Sequence, residues 1–344
     1  MTALGARTAA SRTTLPSYGR PLWRRILLSP EALIIAVLIA VVLIAAETVP
    51  YFAGTNTVYF LLLDAAPVLM IALPMTLVII TGEIDLSVAS IIGLSSVLFG
   101  VLIRAGVPVA VAIVVCIAIG FGAGAFNGFF VTVVGLPSLA VTIGTLALFR
   151  GLAVGILGTT AITEFPLDWQ NLAQLRLGAS GIPAISLLVL VLIAVFVVVL
   201  HYTPFGRGLY ALGLSAAAAH FSGVHVNRSK FVTFLLSGAV SALAGVFWTL
   251  RFGSARGDNA NGLELSIIAA VLLGGVSIFG GKGSILGVIG GVLLISVLQS
   301  ALRLAGVSSD AINVVTGALL ILSVLAPRVP DWFRALRHRA PPVP

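Results

Sequence analysis

The chain has 344 residues, of which 59% are hydrophobic and 9% charged, and its mean hydropathy is +1.18. A soluble domain carries about 25% charged residues, and one globule could not bury this much apolar surface, so the bilayer is the expected solvent. The net charge of +8 comes from basic residues at the chain ends and in loops, which points to membrane topology and away from nucleic acid.

The first 30 residues carry Arg7, Arg12, Arg20, Arg24 and Arg25 but no apolar run of signal-peptide length. Residues 1–30 therefore read as a cytoplasmic tail, and the run from Ala32 to Ala46 as the first membrane helix. A spanning helix needs about 20 apolar residues. Segments of that kind fall near 32–48, 58–80, 84–104, 108–134, 139–160, 183–202, 231–250, 263–280, 283–302 and 310–327. The expected fold is all-α, a polytopic transmembrane helical bundle of about ten spans with both termini cytoplasmic. Residues 31–327 form the membrane domain and 328–344 a cytoplasmic C-terminal tail. With the N-terminus inside, thirteen basic residues fall inside, including Arg207, Arg228, Lys230, Lys282, Arg328, Arg334, Arg337 and Arg339. Five fall outside: Arg104, Arg176, Arg251, Arg256 and Arg303. Nine or eleven crossings would put the basic C-terminal cluster outside, against the positive-inside rule.

Pro67 and Pro74 should bend or interrupt the second segment. Gly120, Gly124 and Gly128, and again Gly283, Gly287 and Gly291, are spaced by four. Such faces let helix backbones approach closely, either as fixed packing or as a moving contact. Cys116, the lone cysteine, excludes an intrachain disulfide and reads as a small buried residue.

Enzyme motifs are absent. His201, His220, His225 and His338 show no metal-ligand spacing. Phe279-Gly280-Gly281-Lys282-Gly283-Ser284 lacks the Ser or Thr that a phosphate-binding loop needs directly after Gly-Lys, so a tight cytoplasmic turn is expected. Polar residues inside membrane segments are costly and draw attention. Asp85, Asn127, Thr142, Thr145 and Gln299 are candidates for a translocation pathway, or else for hydrogen bonding between helices. Asp64 and the Thr81–Ser87 link also stand out. In the 203–230 loop, the alanines at 216–219 favour a short helix that Gly223 would end. That helix would offer Phe221 to a partner at the cytoplasmic surface.

Several blocks carry a family resemblance when taken in order. They are Gly82-Glu83-Ile84-Asp85-Leu86-Ser87-Val88, Asn127-Gly128, Leu136-Pro137, Thr142-Ile143-Gly144-Thr145 and Arg150-Gly151. Phe205-Gly206-Arg207 follows, with Ala218-Ala219 and Gly223, then Glu264-Leu265, Ile268-Ala269-Ala270, Gly274-Gly275, Phe279-Gly280-Gly281 and Gly283-Ser284. From about residue 55 to 327 the chain resembles the permease subunits of ribose-type ABC importers, which serve ribose, xylose, arabinose, galactosides, rhamnose and autoinducer-2.

The resemblance implies a permease of the bacterial inner membrane that moves a monosaccharide or similar small polyol. Phe252-Gly253-Ser254-Ala255-Arg256 looks closest to the rhamnose and autoinducer-2 branches. No cofactor is implied, and ATP hydrolysis belongs to separate cytoplasmic subunits. The other implied partners are an extracytoplasmic sugar-binding protein and a second permease copy or sister permease. The coupling surface would comprise Phe205, Gly206, Arg207, Ala218, Ala219, Phe221 and Gly223. Glu83 and Ala89 stand where the family has Gly, Ser215 where Asn is common, and Ala217 where an acidic residue is common. The alternative is an ion-coupled secondary transporter using Asp64, Glu83 or Asp85, although no internal repeat is evident.

Overall fold

The computed structural model describes residues 29–178 and 181–325. The tails with Arg7, Arg12, Arg20, Arg24, Arg25, Arg328, Arg334, Arg337, Arg339 and His338 lie outside the described residues. Ten principal helices match the ten apolar segments. They are α1 (Pro30–Thr48), α2 (Thr55–Ile80), α3 (Val88–Arg104), α4 (Val109–Thr132) and α5 (Ser138–Leu157), then α7 (Ile185–Val197), α10 (Val226–Phe252), α11 (Leu263–Leu273), α12 (Ile285–Leu304) and α13 (Ser309–Leu325). Three short helices lie between them: α6 (Leu167–Ala173), α8 (Pro204–Leu214) and α9 (Ala216–Phe221). α7 continues through a wide π-type turn, Val198–Tyr202.

Among the described residues seven helices are long and apolar enough to cross a membrane: α1, α2, α4, α5, α7 with its π turn, α10 and α12. α3, α11 and α13 are shorter. Two sequence expectations need correction here. The segment expected at 84–104 starts its helix only at Val88, because Thr81–Ser87 is an irregular link. The segment expected at 263–280 is helical only to Leu273, about 17 Å at 1.5 Å per residue. Gly274 sits directly against α12 there, and a Cβ on it would lie 2.6 Å from the Gly287 carbonyl oxygen.

α2 is the central post. From Ala65 to Ile80 every residue is buried, and α7, α10, α11 and α12 pack around it. α10 also lies along α3 and α4, while α1 covers α12 and α13 covers α11. Of the bend or interruption expected at Pro67 and Pro74, the interruption does not occur: α2 is helical from Thr55 to Ile80. Pro67 removes the amide that would serve the Leu63 carbonyl, and Arg251 of α10 takes that role, donating from Nη1 at 2.8 Å. The same guanidinium pairs with Asp64, one residue further along. A neighbouring helix thus satisfies the group the proline left open, which is how prolines persist in such helices.

The spaced glycines act as packing faces. A Cβ on Gly124 would lie 2.3 Å from the Phe234 carbonyl of α10, and one on Gly291 would lie 2.1 Å from the Ala270 carbonyl of α11. α4 meets α10 and α12 meets α11 at near backbone contact. Cys116 is buried, with its Sγ 3.7 Å from the Ser95 carbonyl.

The connections fall into two sets. At the first end, Gly281 N–H donates to the Ile80 carbonyl at 2.9 Å, Ile84 N–H to Ser138 Oγ at 3.2 Å, and Ser284 Oγ to Glu31 at 2.9 Å. At the second end, Tyr59 donates to the Gln174 carbonyl at 2.5 Å, and Ile162 and Ala255 exchange backbone hydrogen bonds at 3.1 and 2.9 Å. Gln174 reaches the Arg251 carbonyl at 3.0 Å, and Arg303 reaches Asp64 at 3.3 Å. The chain alternates between these two layers.

Candidate functional site

The first end presents a built surface from the 203–230 loop. Thr203 caps α8 by accepting from Gly206 N–H at 3.2 Å, with Pro204 in the first turn, where a missing N–H costs nothing. Ser215 ends α8 and starts α9, accepting from Ala218 N–H at 3.2 Å. The expected alanine helix is therefore present, and a second helix, α8, precedes it within the same loop. Gly223 follows α9 with φ +83°, a conformation that suits glycine. Phe221 is 90% exposed, and Arg207 and Ala218 are exposed too. Ala219 and Gly206 are buried, and Phe205 is half-buried against the core. Between α8 and the start of α10 runs a groove of about 420 Å³, lined by Pro204, Phe205, Gly208, Gly223, Val224 and Arg228.

This surface is joined to the bundle by main-chain contact. Gly213 of α8 lies so close to the Ile80 carbonyl and the Gly281 amide that a Cβ would stand 1.9 and 2.3 Å from them. Tyr210 donates to the Gly283 carbonyl at 2.7 Å. The Phe279–Ser284 stretch is the expected tight turn, with Gly280 and Gly281 at φ +82° and +72°. Ser284 caps α12 through Gly287 N–H at 3.2 Å.

Beneath it lies a buried polar network around Thr81–Ser87. Asp85 is fully buried and accepts from Ser87 N–H at 3.0 Å, Ser87 Oγ at 2.6 Å and Ser237 Oγ of α10 at 2.8 Å. Asn127 Nδ2 donates to Ser87 Oγ at 2.8 Å. Thr142 donates to the Ile84 carbonyl at 3.2 Å, and Thr145 turns back to the Thr142 carbonyl at 3.4 Å. Asp85, Asn127 and Thr142 are thus brought into one assembly that ties the link to α4, α5 and α10. Glu83, where the family has Gly, pairs with Lys230 of α10. The positive φ of this turn falls on Gly82 instead, so a side chain at position 83 is tolerated. Ser237 was missed from sequence; its signal is the hydroxyl series Ser229, Thr233, Ser237, Ser241, one per helical turn and all buried.

Gln299 stands apart from these four. It donates to Thr316 at 3.2 Å and lines an open polar cavity of about 610 Å³ at the second end. The cavity lies between residues 253–262 and the ends of α10, α11, α12 and α13. Arg150, a lone cation in α5, holds that loop: Nη1 donates to the Gly257 and Asn259 carbonyls, each at 2.7 Å, and Nη2 to the Ala89 carbonyl at 3.1 Å. Asn259 Nδ2 donates to Ser96 Oγ at 2.8 Å. Among the described residues no cluster of His, Cys, Asp and Glu could hold a metal.

An all-helical bundle with seven helices of membrane-spanning length and apolarity among the described residues is that of a multi-pass membrane protein. The chain belongs to the permease family described as "Branched-chain amino acid transport system / permease component", which matches residues 57–324. It is 34% identical over 318 residues to the autoinducer 2 import system permease protein LsrD of Klebsiella pneumoniae, covering 90% of this chain and 95% of that one. LsrD of Salmonella typhimurium is also 34% identical, over 329 residues, 92% of this chain and 98% of the relative. The probable ABC transporter permease protein YphD of Escherichia coli is 36% identical over 295 residues, 85% of this chain and 88% of that protein. No solved structure matches the chain. The protein is a multi-pass permease of the bacterial inner membrane.

Proposed function

We propose that the chain is the membrane-spanning permease of an ATP-binding-cassette importer, carrying a monosaccharide or a related small polyol such as autoinducer 2. The observation that carries this reading is the cap at the first end. Phe221 stands exposed on α9, directly after α8, and α8 is tied by close backbone contacts to α2 and to the turn before α12. That is the form of a docking element that transmits force from outside the membrane domain. The first end is then cytoplasmic, with ten crossings and both termini inside. Two cytoplasmic ATPase subunits dock on α8 and α9, and a sugar-binding protein delivers cargo to the second end beside a second copy or sister permease. The names of the LsrD relatives favour the autoinducer-2 branch over rhamnose. Against the ion-coupled alternative, Asp64 and Glu83 are engaged in ion pairs and Asp85 accepts three hydrogen bonds. Reconstitution with its ATPase and binding protein in liposomes tests the reading. ATP-dependent uptake is expected; uptake driven by an imposed proton gradient without ATP would overturn it.

A further inference from the structure

Arg150 sits inside a membrane-spanning helix, yet its hydrogen bonds go to one loop at the second end. Nη1 donates to the Gly257 and Asn259 carbonyls, each at 2.7 Å. The guanidinium lies flat against α3 at Gly93, where a Cβ would stand 2.5 Å from Nη1. The loop it holds, residues 254–261, is bonded within itself. Arg256 makes two hydrogen bonds of 2.8 Å to Asp258, Asn259 N–H donates to the Arg256 carbonyl at 3.3 Å, and Asn261 N–H to the Asp258 carbonyl at 3.2 Å. A glycine in the left-handed region stands at each end, Gly253 at φ +58° and Gly262 at φ +81°, and a Cβ on Gly262 would meet nothing. Small residues at the ends of an element are suited to absorb a hinge rotation. Ala260 is also left-handed, at φ +59°, a conformation that a residue with a Cβ keeps only where its surroundings impose it.

The loop is tied down at separate points. Besides Arg150, Asn259 Nδ2 donates to Ser96 Oγ at 2.8 Å, and Ile162 and Ala255 exchange backbone hydrogen bonds. Beneath it the contact between α3 and α10 is polar. Ser96 and Thr249 are fully buried and bonded to each other at 2.7 Å, and Ser241, about two turns along α10, is buried with its Oγ unpartnered. Glu264, in the first turn of α11 just past Gly262, has its Oε2 shut from solvent without a hydrogen-bond partner. Of the carboxylates that act on Arg150 through space, Glu264 comes first and Asp258 second.

We propose that residues 254–261 form a hinged strap over the second-end mouth of the α3–α10 seam, that Arg150 is the pin that holds it shut, and that Glu264 receives the guanidinium when the strap lifts. A guanidinium withdrawn from water is costly to leave without acceptors. Glu264 offers an unused one, so the pin can be drawn without stranding a charge. Ser254, Arg256 and residues 258–262 form one wall of the cavity of about 610 Å³. Lifting them turns Ser96 and Thr249 toward that cavity and extends it into the bundle. The strap is a moving part whatever the cargo.

The test uses the full-length permease in lipid nanodiscs, with Cys116→Ala as background. Nitroxides on Arg256→Cys in the strap and Arg104→Cys at the end of α3 report their separation by pulsed EPR. One narrow distance is expected while Arg150 is present. Arg150→Ala should add a second distance and raise the open-to-closed ratio about tenfold or more, the weight of one charge-assisted hydrogen bond. Arg150→Lys should restore most of the narrow distance. An unchanged distribution in Arg150→Ala overturns the pin. Ile162→Cys with Ala255→Cys gives a lock that leaves Arg150 alone. Residues that exchange both backbone hydrogen bonds have Cα atoms about 5.5 Å apart, within disulfide reach. With ATPase and binding protein added, the oxidised pair should cut ATP-driven uptake of ribose, rhamnose, galactose or autoinducer 2 about tenfold or more, and reductant should restore it. Full uptake by completely cross-linked protein overturns the strap as a gate. Glu264→Gln should slow uptake about fivefold at an unchanged narrow distance, and unchanged uptake overturns its part. A wild-type assembly that imports none of the four on ATP overturns the importer reading instead, and the EPR distances then decide the strap.

Discussion

Replacing Phe221 by Asp should separate docking from folding. The side chain is 90% exposed, and its recorded ring contact is with neighbouring His220, centroids 6.1 Å apart. Little of the fold depends on it, so the thermal midpoint of the permease in lipid should hardly move. Docking is different. A Phe side chain offers roughly 200 Å² to a partner. Covering half of it at about 25 cal/mol per Å² gives about 2.5 kcal/mol, in the range expected of an interface anchor. The affinity of the ATPase subunit should therefore fall roughly 60-fold, further if the new carboxylate is buried without a partner. The assay is equilibrium binding of the purified ATPase to nanodisc-embedded permease, followed by cargo-stimulated ATP hydrolysis. Unchanged affinity and unchanged stimulation would refute the reasoning and move the docking contact to the turn around Lys282.

Three further outcomes are expected. Tags on the two termini and a cysteine at Arg207→Cys should be reached only from the cytoplasm, and Arg104→Cys only from outside; a C-terminal tag reached from outside would overturn ten crossings. Asp85→Asn leaves one of three donors around this site without an acceptor, costing about 1–3 kcal/mol; a lowered thermal midpoint is expected, whereas loss of a proton-driven uptake that works without ATP would favour a secondary carrier. Gly213→Val sets a Cβ 1.9 Å from the Ile80 carbonyl; the protein should fail to accumulate in the membrane, and normal yield with normal transport would show that the junction is not tight.

The helical segments were legible because hydropathy reports them directly, and the alanine run at 216–219 was legible through propensity. The stop of α11 at Leu273 was not. It depends on Gly274 meeting Gly287 of another helix, a contact that composition does not record. That the prolines leave α2 unbroken was hidden for a related reason: what satisfies the Leu63 carbonyl is Arg251, distant in sequence. Asp85 and Asn127 drew notice as polar residues in apolar surroundings, yet the bridge between them through Ser87, and the Ser237 bond to Asp85, emerge only when α4 and α10 are brought against the link. The second-end cavity was nearly invisible, because Trp248, Ser266, Gln299 and Asn313 come from four helices and none carries a motif. Arg150 gave the best available hint, a cation with no business facing lipid.

The meeting of Ile80, Gly213 and Gly281 is made by main-chain atoms, so it depends on the glycines at 213, 280 and 281 and on no particular side chain. The outer face of α9, by contrast, is free to change one residue at a time. The fold thus separates a joint fixed by the main chain from a cap whose exposed side chains can vary without disturbing that joint.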